Sequence, residues 1–271
     1  MEKVKSLKLR YSYSLILLKE LVVTDFKLRY KGSVLGYLWS LLRPLAIFIV
    51  LYVVFVMFLK LGKNVPHFAI YLLLGIVIWN FFVEITLGSV AAIVSKGDLI
   101  RKINFPKYVI IIATAVSALI NLAINFIIVI VFMLIFGANP SWMALVVIPL
   151  LIIELFILGL AFAFLLSASF VRYRDVGYIW EVIIQAAFYA TPILYPLAMI
   201  PVLAQKMSLL NPMAQIIQDA RHYLVTPATV TPATLYNHFA IQMIPIILTL
   251  VLFIIGSLYF RKNSKNFAED V

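Results

Sequence analysis

The sequence predicts an all-α integral membrane protein with six transmembrane helices, and three observations support this prediction. Of the 271 residues, 65% are hydrophobic and 12% are charged, whereas an ordinary soluble domain is about 45 to 50% apolar. The mean hydropathy is +1.09. Long apolar runs recur along the chain and are separated by short basic segments. A water-soluble globule is therefore excluded, and residues 1–271 are predicted to form a single transmembrane domain.

The N-terminal region, residues 1–43, is predicted to form a cytoplasmic interface region with an amphipathic helix. It mixes basic residues with helically spaced apolar ones, which is typical of a helix lying in the membrane interface. Because no short apolar stretch with a small-residue cleavage site follows the basic start, we interpret it as mature protein rather than a signal peptide. The nine basic residues are Lys3, Lys5, Lys8, Arg10, Lys19, Lys27, Arg29, Lys31 and Arg43.

The predicted six-helix membrane region covers residues 44–260. Span one starts at Pro44 and ends before Lys60. Each of the next three runs is long enough to cross a hydrocarbon core of about 30 Å. These runs, spans two, three and four, are residues 68–94, 108–136 and 142–170.

Span five begins near Tyr178 and meets a cluster of prolines. Pro192, Pro196 and Pro201 each remove a helical hydrogen bond, so we do not expect a continuous helix here. Two interpretations stay open: a re-entrant segment beside an outer vestibule, or a proline-kinked span followed by an outer loop. Span six is the uncharged run 241–260, and residues 261–271 form the tail.

The distribution of charge predicts the orientation. In the six-span arrangement, 18 of the 22 Lys and Arg residues fall on the face that carries both termini. Positive residues collect on the cytoplasmic side of membrane proteins. We therefore predict a multi-pass membrane protein with both termini in the cytoplasm.

The sequence lacks the usual motifs of a self-sufficient enzyme. It has no Cys, no phosphate-binding G-x-x-x-x-G-K-[ST] loop, no H-E-x-x-H and no G-x-S-x-G. No catalytic residue, metal site or bound cofactor is expected, and energy has to come from a partner or an ion gradient. Among the intramembrane carboxylates, Glu154 lies nearest the middle of a span. It serves either a polar pathway or a hydrogen-bonded contact between helices.

Two further features each allow a functional and a purely structural interpretation. Phe188, Tyr189 and Tyr195 lie beside the broken end of span five, where they either stack on sugar rings or pack against lipid and other helices. The basic stretch 96–107 carries a few apolar residues on one face of a predicted short helix. It either docks on a soluble partner or is a solvated inner loop.

Four sequence blocks resemble one transporter family. Three of them are VRYRDVG at 171–177, TPILYP at 191–196 and LNPMAQIIQDAR at 210–221. In order and spacing, the blocks are similar to permease subunits of type-two ATP-binding-cassette exporters of polysaccharides and polyol phosphates, most of all the O-antigen branch. The fourth block, an N-terminal motif, comprises Asp25, Lys27, Arg29, Tyr30, Ser33, Leu35, Gly36, Trp39 and Pro44.

The resemblance implies a homodimeric channel with one ATPase subunit on each copy, so that ATP and Mg bind in the partner. The region after Tyr195 would form outer gate helices, and the N-terminal motif would belong to the interface helix. Candidates for the channel or outer gate are Phe188, Tyr189, Pro192, Tyr195, Pro196 and Glu154. Candidates for ATPase coupling are Lys96, Gly97, Asp98, Leu99, Ile100, Arg101, Lys102, Ile103, Asn104, Phe105 and Pro106, with a secondary contact from Arg172, Arg174 and Asp175.

The function that this resemblance implies is ATP-driven export of a polysaccharide linked to polyprenyl diphosphate, with O-antigen favoured and hence a place in lipopolysaccharide biosynthesis. Alternatives within the family are teichoic-acid, capsule and drug export. A membrane glycosyl or phosphoglycosyl transferase is an alternative of another class, but it needs clustered acidic residues, whereas the 11 acids here are scattered. An ion-coupled secondary transporter would be expected to show internal repeats and several deep ionisable groups.

Overall fold

A computed structural model describes residues 14–25, 27, 33, 35–60, 62, 65–103 and 105–267. Within these residues the secondary structure is helical, with no strand. Residues 14–25 form a helix, called the N-terminal helix below. It packs on the bundle through Leu21, which is buried, and leaves Lys19 and Glu20 exposed. Leu15 and Ile16 are exposed as well, so the apolar residues of this helix do not all face the bundle.

Twelve further helices follow along the described chain. The first seven are α1 (Trp39–Tyr52), α2 (Phe68–Val90), α3 (Ala92–Ser95), α4 (Gly97–Lys102), α5 (Tyr108–Phe136), α6 (Ala144–Arg172) and α7 (Val176–Ala190). The remaining five are α8 (Val202–Leu209), α9 (Pro212–Leu224), α10 (Pro232–Leu235), α11 (Phe239–Gln242) and α12 (Ile244–Asn263). A π-helical segment, Val53–Phe58, extends α1.

Five helices in the described chain are long and apolar enough to cross a membrane: Trp39–Phe58, α2, α5, α6 and α12. They correspond to predicted spans one, two, three, four and six. Span one starts earlier than predicted, because the helix runs through Pro44 from Trp39. Predicted span five is the apolar helix α7, which has 15 residues and a length of about 22 Å. Five long spans are thus present, and α7 falls short of the usual spanning length.

Helix α2 is the centre of the bundle. It packs against α1, α5, α6, α7 and α9, and 83% of its most apolar 18-residue stretch is buried. A helix that is apolar on all sides is expected in such a central position. The surrounding helices expose much of their apolar surface, as lipid-facing helices do. Helix α2 therefore runs through the interior of the bundle.

Helices α6 and α12 form the most extensive helix pair, and small residues permit their close approach. A Cβ atom at Gly256 would collide with the carbonyl oxygen of Ala161. At Gly159, a Cβ would lie 2.6 Å from Cγ2 of Ile85 on α2. Glycine at these two positions brings helices together by van der Waals packing, which is the usual basis of helix association in membranes.

The chain after α7 returns to the bundle through α8 and α9. Helix α7 ends at Ala190, and Thr191 is extended, so the predicted break in span five is confirmed. Helix α9 is largely buried against α6 and α2. Its carboxyl end lies at the loop between α5 and α6, where the Ser141 N–H donates to the Tyr223 carbonyl at 2.9 Å. Its Gln215 contacts Glu154, eleven residues along α6. Helix α9 therefore lies beside the half of α6 that begins at Ala144.

Candidate functional site

The predicted coupling segment contains the short helix α4, and two of its apolar residues face the protein's own bundle. Ile100 and Phe105 are 5% and 4% exposed and belong to the core. The prediction that Leu99, Ile100, Ile103 and Phe105 form one docking face is therefore wrong for Ile100 and Phe105. Helix α4 ends at Lys102, and the chain becomes extended at Ile103. The side chains that stay exposed are Asp98, Arg101, Lys102 and Ile103.

An ion pair joins the N-terminal helix to the start of α4. Nζ of Lys96 lies 2.8 Å from Oδ1 of Asp25, 71 residues earlier in the sequence. Both side chains are about one-quarter exposed (23% and 26%). Exposed ion pairs contribute little to stability. We therefore assign this pair a different role, which is to fix where the two helices lie relative to each other. The structure thus brings together one residue from each of two predicted functional segments.

The N-terminal motif leads into α1 through a tight turn. The Gly36 N–H donates to Oγ of Ser33 at 3.3 Å, and Gly36 has a φ of +50°, a left-handed conformation that glycine adopts without strain. Trp39 is half exposed and Pro44 is buried within α1. Arg29 and Tyr30 of this motif, and Asn104 of the coupling segment, lie outside the described residues.

The loop between α6 and α7 carries the predicted secondary contact residues. Arg172, Arg174 and Asp175 are all exposed. The guanidinium of Arg172 lies 5.6 Å from the ring centre of Tyr173. The guanidinium of Arg174 lies 5.2 Å from the ring centre of Phe170. These aromatic contacts orient the two arginines and leave their hydrogen-bond donors available.

Helix α7 packs on the bundle along one narrow stripe. Trp180 and Ile184 are buried, and the Trp180 ring stacks on Phe162 of α6 with ring centres 5.2 Å apart. Polar side chains facing away from their own bundle at membrane depth need water or another protein surface. Two such polar residues, Glu181 and Gln185, are exposed on α7. The exposed residues of α7 are Tyr178, Ile179, Glu181, Val182, Ile183, Gln185, Ala186, Tyr189 and Ala190.

Arg221 of α9 holds the break that follows α7. Its side chain is 0% exposed and donates three hydrogen bonds to carbonyl oxygens. Nη1 bonds to Pro192 at 2.6 Å, Nη2 to Ile193 at 2.7 Å and Nε to Tyr71 at 2.9 Å. The proline-rich break has lost its helical hydrogen bonds, and the guanidinium satisfies two of its carbonyl groups. This arrangement, called the arginine clamp below, ties the break to α9 and α2.

Residues of α2 shape the pocket of the arginine clamp. The guanidinium carbon lies 3.6 Å from the centre of the Tyr71 ring, and the Tyr71 hydroxyl donates to Oε1 of Gln218 at 3.2 Å. A Cβ at Gly75 would lie 2.5 Å from Nη2 of Arg221. Burial lowers the pKa of Arg221, and Tyr71 opposes this shift. In the sequence, Arg221 was the last residue of the block LNPMAQIIQDAR at 210–221 and one of the four Lys and Arg residues predicted on the face opposite the termini. Tyr71 and Gly75 carried no sequence signal.

The predicted gate aromatics occupy different environments. Phe188 packs edge-to-face against Trp79 of α2, with ring centres 5.8 Å apart, whereas Tyr189 is exposed. The Tyr195 hydroxyl donates to the Ala190 carbonyl at 3.5 Å across the break, and burial raises the pKa of Tyr195. Pro196 follows and is buried. Tyr189 is thus the aromatic side chain of this set that is open to a ligand.

Comparison with known proteins identifies the family. The profile of the ABC-2 type transporter family matches residues 16–225, which include every candidate residue named above. The chain belongs to the ABC-2 type transporter family. It is 28% identical over 259 residues to the O-antigen export system permease protein RfbA of Myxococcus xanthus, covering 94% of this chain and 95% of the relative. It is 28% identical over 266 residues to RfbA of Klebsiella pneumoniae, covering 97% and 99%.

The family assignment agrees with the sequence-based prediction of an ABC exporter permease of the O-antigen type. The similarity extends over nearly the full length of both relatives, so it includes the coupling segment, α7 and the arginine clamp together. As an ABC-2 family member with five candidate spans, the chain is a multi-pass membrane protein.

Replacing Arg221 tests the arginine clamp. We expect Arg221→Lys to lower the stability of the permease by about 2 to 5 kcal/mol, because a lysine cannot make the three divergent hydrogen bonds and leaves buried carbonyls unpaired. Thermal unfolding of the purified protein in detergent measures this change. Limited proteolysis between Thr191 and Pro201 should speed up in parallel.

The matched control is Arg261→Lys, since Arg261 is exposed in the last turn of α12. This variant should unfold like the unchanged protein. An Arg221→Lys protein with unchanged unfolding and proteolysis would show that the clamp does not hold the break.

Proposed function

We propose that this chain is the permease subunit of an O-antigen exporter, moving a polysaccharide linked to polyprenyl diphosphate across the inner membrane. The observation that carries the proposal is the end-to-end similarity to two permeases of O-antigen export systems. Two copies of the chain form the channel, and two copies of a separate ATPase bind ATP and Mg. The permease itself carries out no chemistry.

The proposed coupling surface is the exposed side of α4. Asp98, Arg101, Lys102 and Ile103 point away from the permease core, so they are available to an ATPase cleft. Leu99 is half-buried, and Ile100 and Phe105 anchor the segment from behind. The exposed loop residues Arg172, Arg174 and Asp175 supply the secondary contact. An anchored helix moves as a rigid body when the partner pulls on it, which is what a coupling element requires.

The ion pair between Asp25 and Lys96 supports a second route for the same movement. It joins the coupling surface to the N-terminal helix, which leads through the turn at Gly36 into α1. A displacement of α4 therefore also pulls on the N-terminal helix. ATP binding closes the ATPase pair, favours one arrangement of these helices and shifts the channel toward the conducting state.

The proposed dimer surface is the exposed face of α7. Glu181 and Gln185 leave their own bundle on this face, where a second copy or the water of a channel can solvate them. Tyr189 at the outer end of the same face is available to stack on a sugar ring. The short α7 and the following break then make the fifth crossing, with α8 and α9 as re-entrant gate helices and both termini in the cytoplasm.

The coupling surface is tested by the change Ile103→Asp. We expect association with the cognate ATPase to weaken about tenfold or more, because a carboxylate replaces an apolar contact in the interface. Co-purification and titration of the two subunits in detergent measure the association. The permease alone should unfold unchanged, since Ile103 is exposed.

Two variants control this experiment. Ile103→Val should bind the ATPase normally, and Phe105→Asp should instead lower the stability of the isolated permease, because Phe105 is buried. Normal binding by Ile103→Asp would contradict the assignment of the coupling surface.

The dimer surface is tested by cysteine cross-linking, which the cysteine-free sequence makes direct. We expect Val182→Cys to form a disulfide between two copies upon mild oxidation, because Val182 is 67% exposed on the α7 face. Leu145→Cys on α6, 83% exposed, serves as the control and should stay monomeric on a non-reducing gel. The reverse pattern would place the dimer contact elsewhere.

The substrate is tested with the two-plus-two complex in proteoliposomes. Polyprenyl-diphosphate-linked O-antigen should raise the rate of ATP hydrolysis, whereas the same lipid without its glycan, or a lipid-linked teichoic acid, should raise it less. A stronger response to teichoic acid would assign the chain to that branch of the family. A permease that modifies the lipid-linked sugar without any ATPase would instead support the transferase alternative.

A further inference from the structure

Three polar side chains meet where α6 and α9 pack together. Glu154 comes from α6, and Gln215 and Asp219 lie one turn apart on α9. Nε2 of Gln215 donates to Oδ2 of Asp219 at 2.7 Å. The Gln215 side chain also lies near the Glu154 carboxyl, and the two carboxyl groups are close enough to interact electrostatically. These three residues are called the acidic cluster below.

The acidic cluster contains buried oxygen atoms that lack a hydrogen-bond donor. Among the described residues, neither Oε1 of Glu154 nor Oε1 of Gln215 has a partner. Gln215 is 3% exposed, and its amide nitrogen already bonds to Asp219. A buried acceptor without a donor is costly, and natural structures rarely leave one. The cluster is thus short of a donor beside the Gln215 oxygen.

The acidic cluster also lacks a compensating cation. Within the described part of the chain, no Lys or Arg forms an ion pair with Glu154 or Asp219. On α9, His222 lowers the pKa of Asp219 electrostatically but does not outweigh its burial. Arg221 instead donates to carbonyls of the break.

The other helices packed on α6 and α9 bring no positive charge to the cluster. Helix α5 has no charged residue, Glu84 of α2 is bonded by Asn121 at 2.6 Å, and Lys206 of α8 is exposed. The acidic groups of α7 and the nearby inner loop, Glu181 and Asp175, are exposed at the other end of α6. The basic residues of α12, Arg261 and Lys262, are in its last turn.

Helix α12 contributes a neutral donor near the same level. Helices α6 and α12 run in the same direction, and Gly256 lies against Ala161. Seven residues earlier on each helix, Thr249 and Glu154 are therefore at similar heights, since both helices rise equally per residue. Thr249 is 1% exposed, and its hydroxyl has no partner among the described residues.

We propose that the acidic cluster binds one proton, and that this proton holds α9 against α6. On a cluster carboxyl, the proton supplies the O–H that Oε1 of Gln215 lacks. It also removes one of two like charges that face each other across the contact between the helices. When the proton leaves, two carboxylates remain in a poorly solvated place, and the contact between α9 and α6 weakens.

The electrostatics of Asp219, on the non-spanning helix α9, agree with this site. Burial raises the pKa of Asp219 to about 6, and the Gln215 hydrogen bond and His222 oppose this shift. A carboxyl of an unfolded chain has a pKa of about 3.9. The folded protein therefore binds more protons than the unfolded one between these values. Its stabilisation by this group is complete below about pH 4 and is lost as the pH rises through about 6.

The full-length permease in nanodiscs provides the test, through thermal unfolding across the range from about pH 4 to about pH 7. For each of Glu154→Gln and Asp219→Asn, we compare the unfolding midpoint with that of the unchanged protein at the same pH. We expect this difference to shift in favour of the variant by about 2 to 4 °C from the acidic to the neutral end. Each variant has no second carboxylate to repel. The double variant should gain little more than either single one, because a single shared proton is lost only once.

The matched control is Glu20→Gln, since Glu20 is an exposed carboxylate of the N-terminal helix. Its difference in midpoint from the unchanged protein should be the same at every pH. A difference that is equally independent of pH for Glu154→Gln and Asp219→Asn would overturn the proposal.

Infrared spectroscopy gives a second readout that does not require a variant to be stable. The unchanged protein should show the C=O stretch of a protonated carboxyl group at acidic pH, and this band should disappear as the pH rises. Glu154→Gln with Asp219→Asn should remove it, and its persistence in that double variant would assign the proton elsewhere. Any effect of the proton on export rests on the proposed function, whereas both measurements are made on the permease alone.

Discussion

The arginine clamp is the interaction on which the proline-rich break and the helices beside it depend. A chain can leave helical geometry at membrane depth only if other groups satisfy its backbone, because lipid offers no hydrogen bonds. Arg221 meets this requirement by donating to two carbonyls of the break and to Tyr71. Gly75 leaves the room for its guanidinium. The clamp thus ties the break to α9, whose apolar residues pack in the bundle.

Helix α2 connects the two regions with proposed functions. Its first half carries Tyr71 and Gly75 of the arginine clamp, and its other end continues through α3 into α4, the proposed coupling helix. In the proposed function, a displacement of α4 would pass along α2 to the helices around the break, because α2 is buried along most of its length. In the further proposal, the proton of the acidic cluster would act on the neighbouring contact between α6 and α9.

The carboxylates of the predicted spans divide into two groups with different consequences. Glu84 is hydrogen-bonded to Asn121 within the bundle and therefore cross-links α2 and α5. The Glu181 side chain on α7 is exposed, and the Glu154 carboxyl lies near that of Asp219. Charges that find a neutral donor inside their own bundle stabilise it. For the other two we propose different partners, namely a proton for Glu154 and water or a second copy of the chain for Glu181.

The sequence by itself determined the membrane class, five of the spans, the break at the prolines that interrupt span five and the family resemblance, because hydropathy, proline and motif spacing are local properties of the chain. Only the tertiary structure decided which side chains are buried and what they contact. Phe105 is buried in the bundle, and Pro44 lies inside a helix that starts at Trp39. Arg221 finds Tyr71 150 residues away. Such contacts depend on which helix faces meet, and packing between distant segments determines those faces.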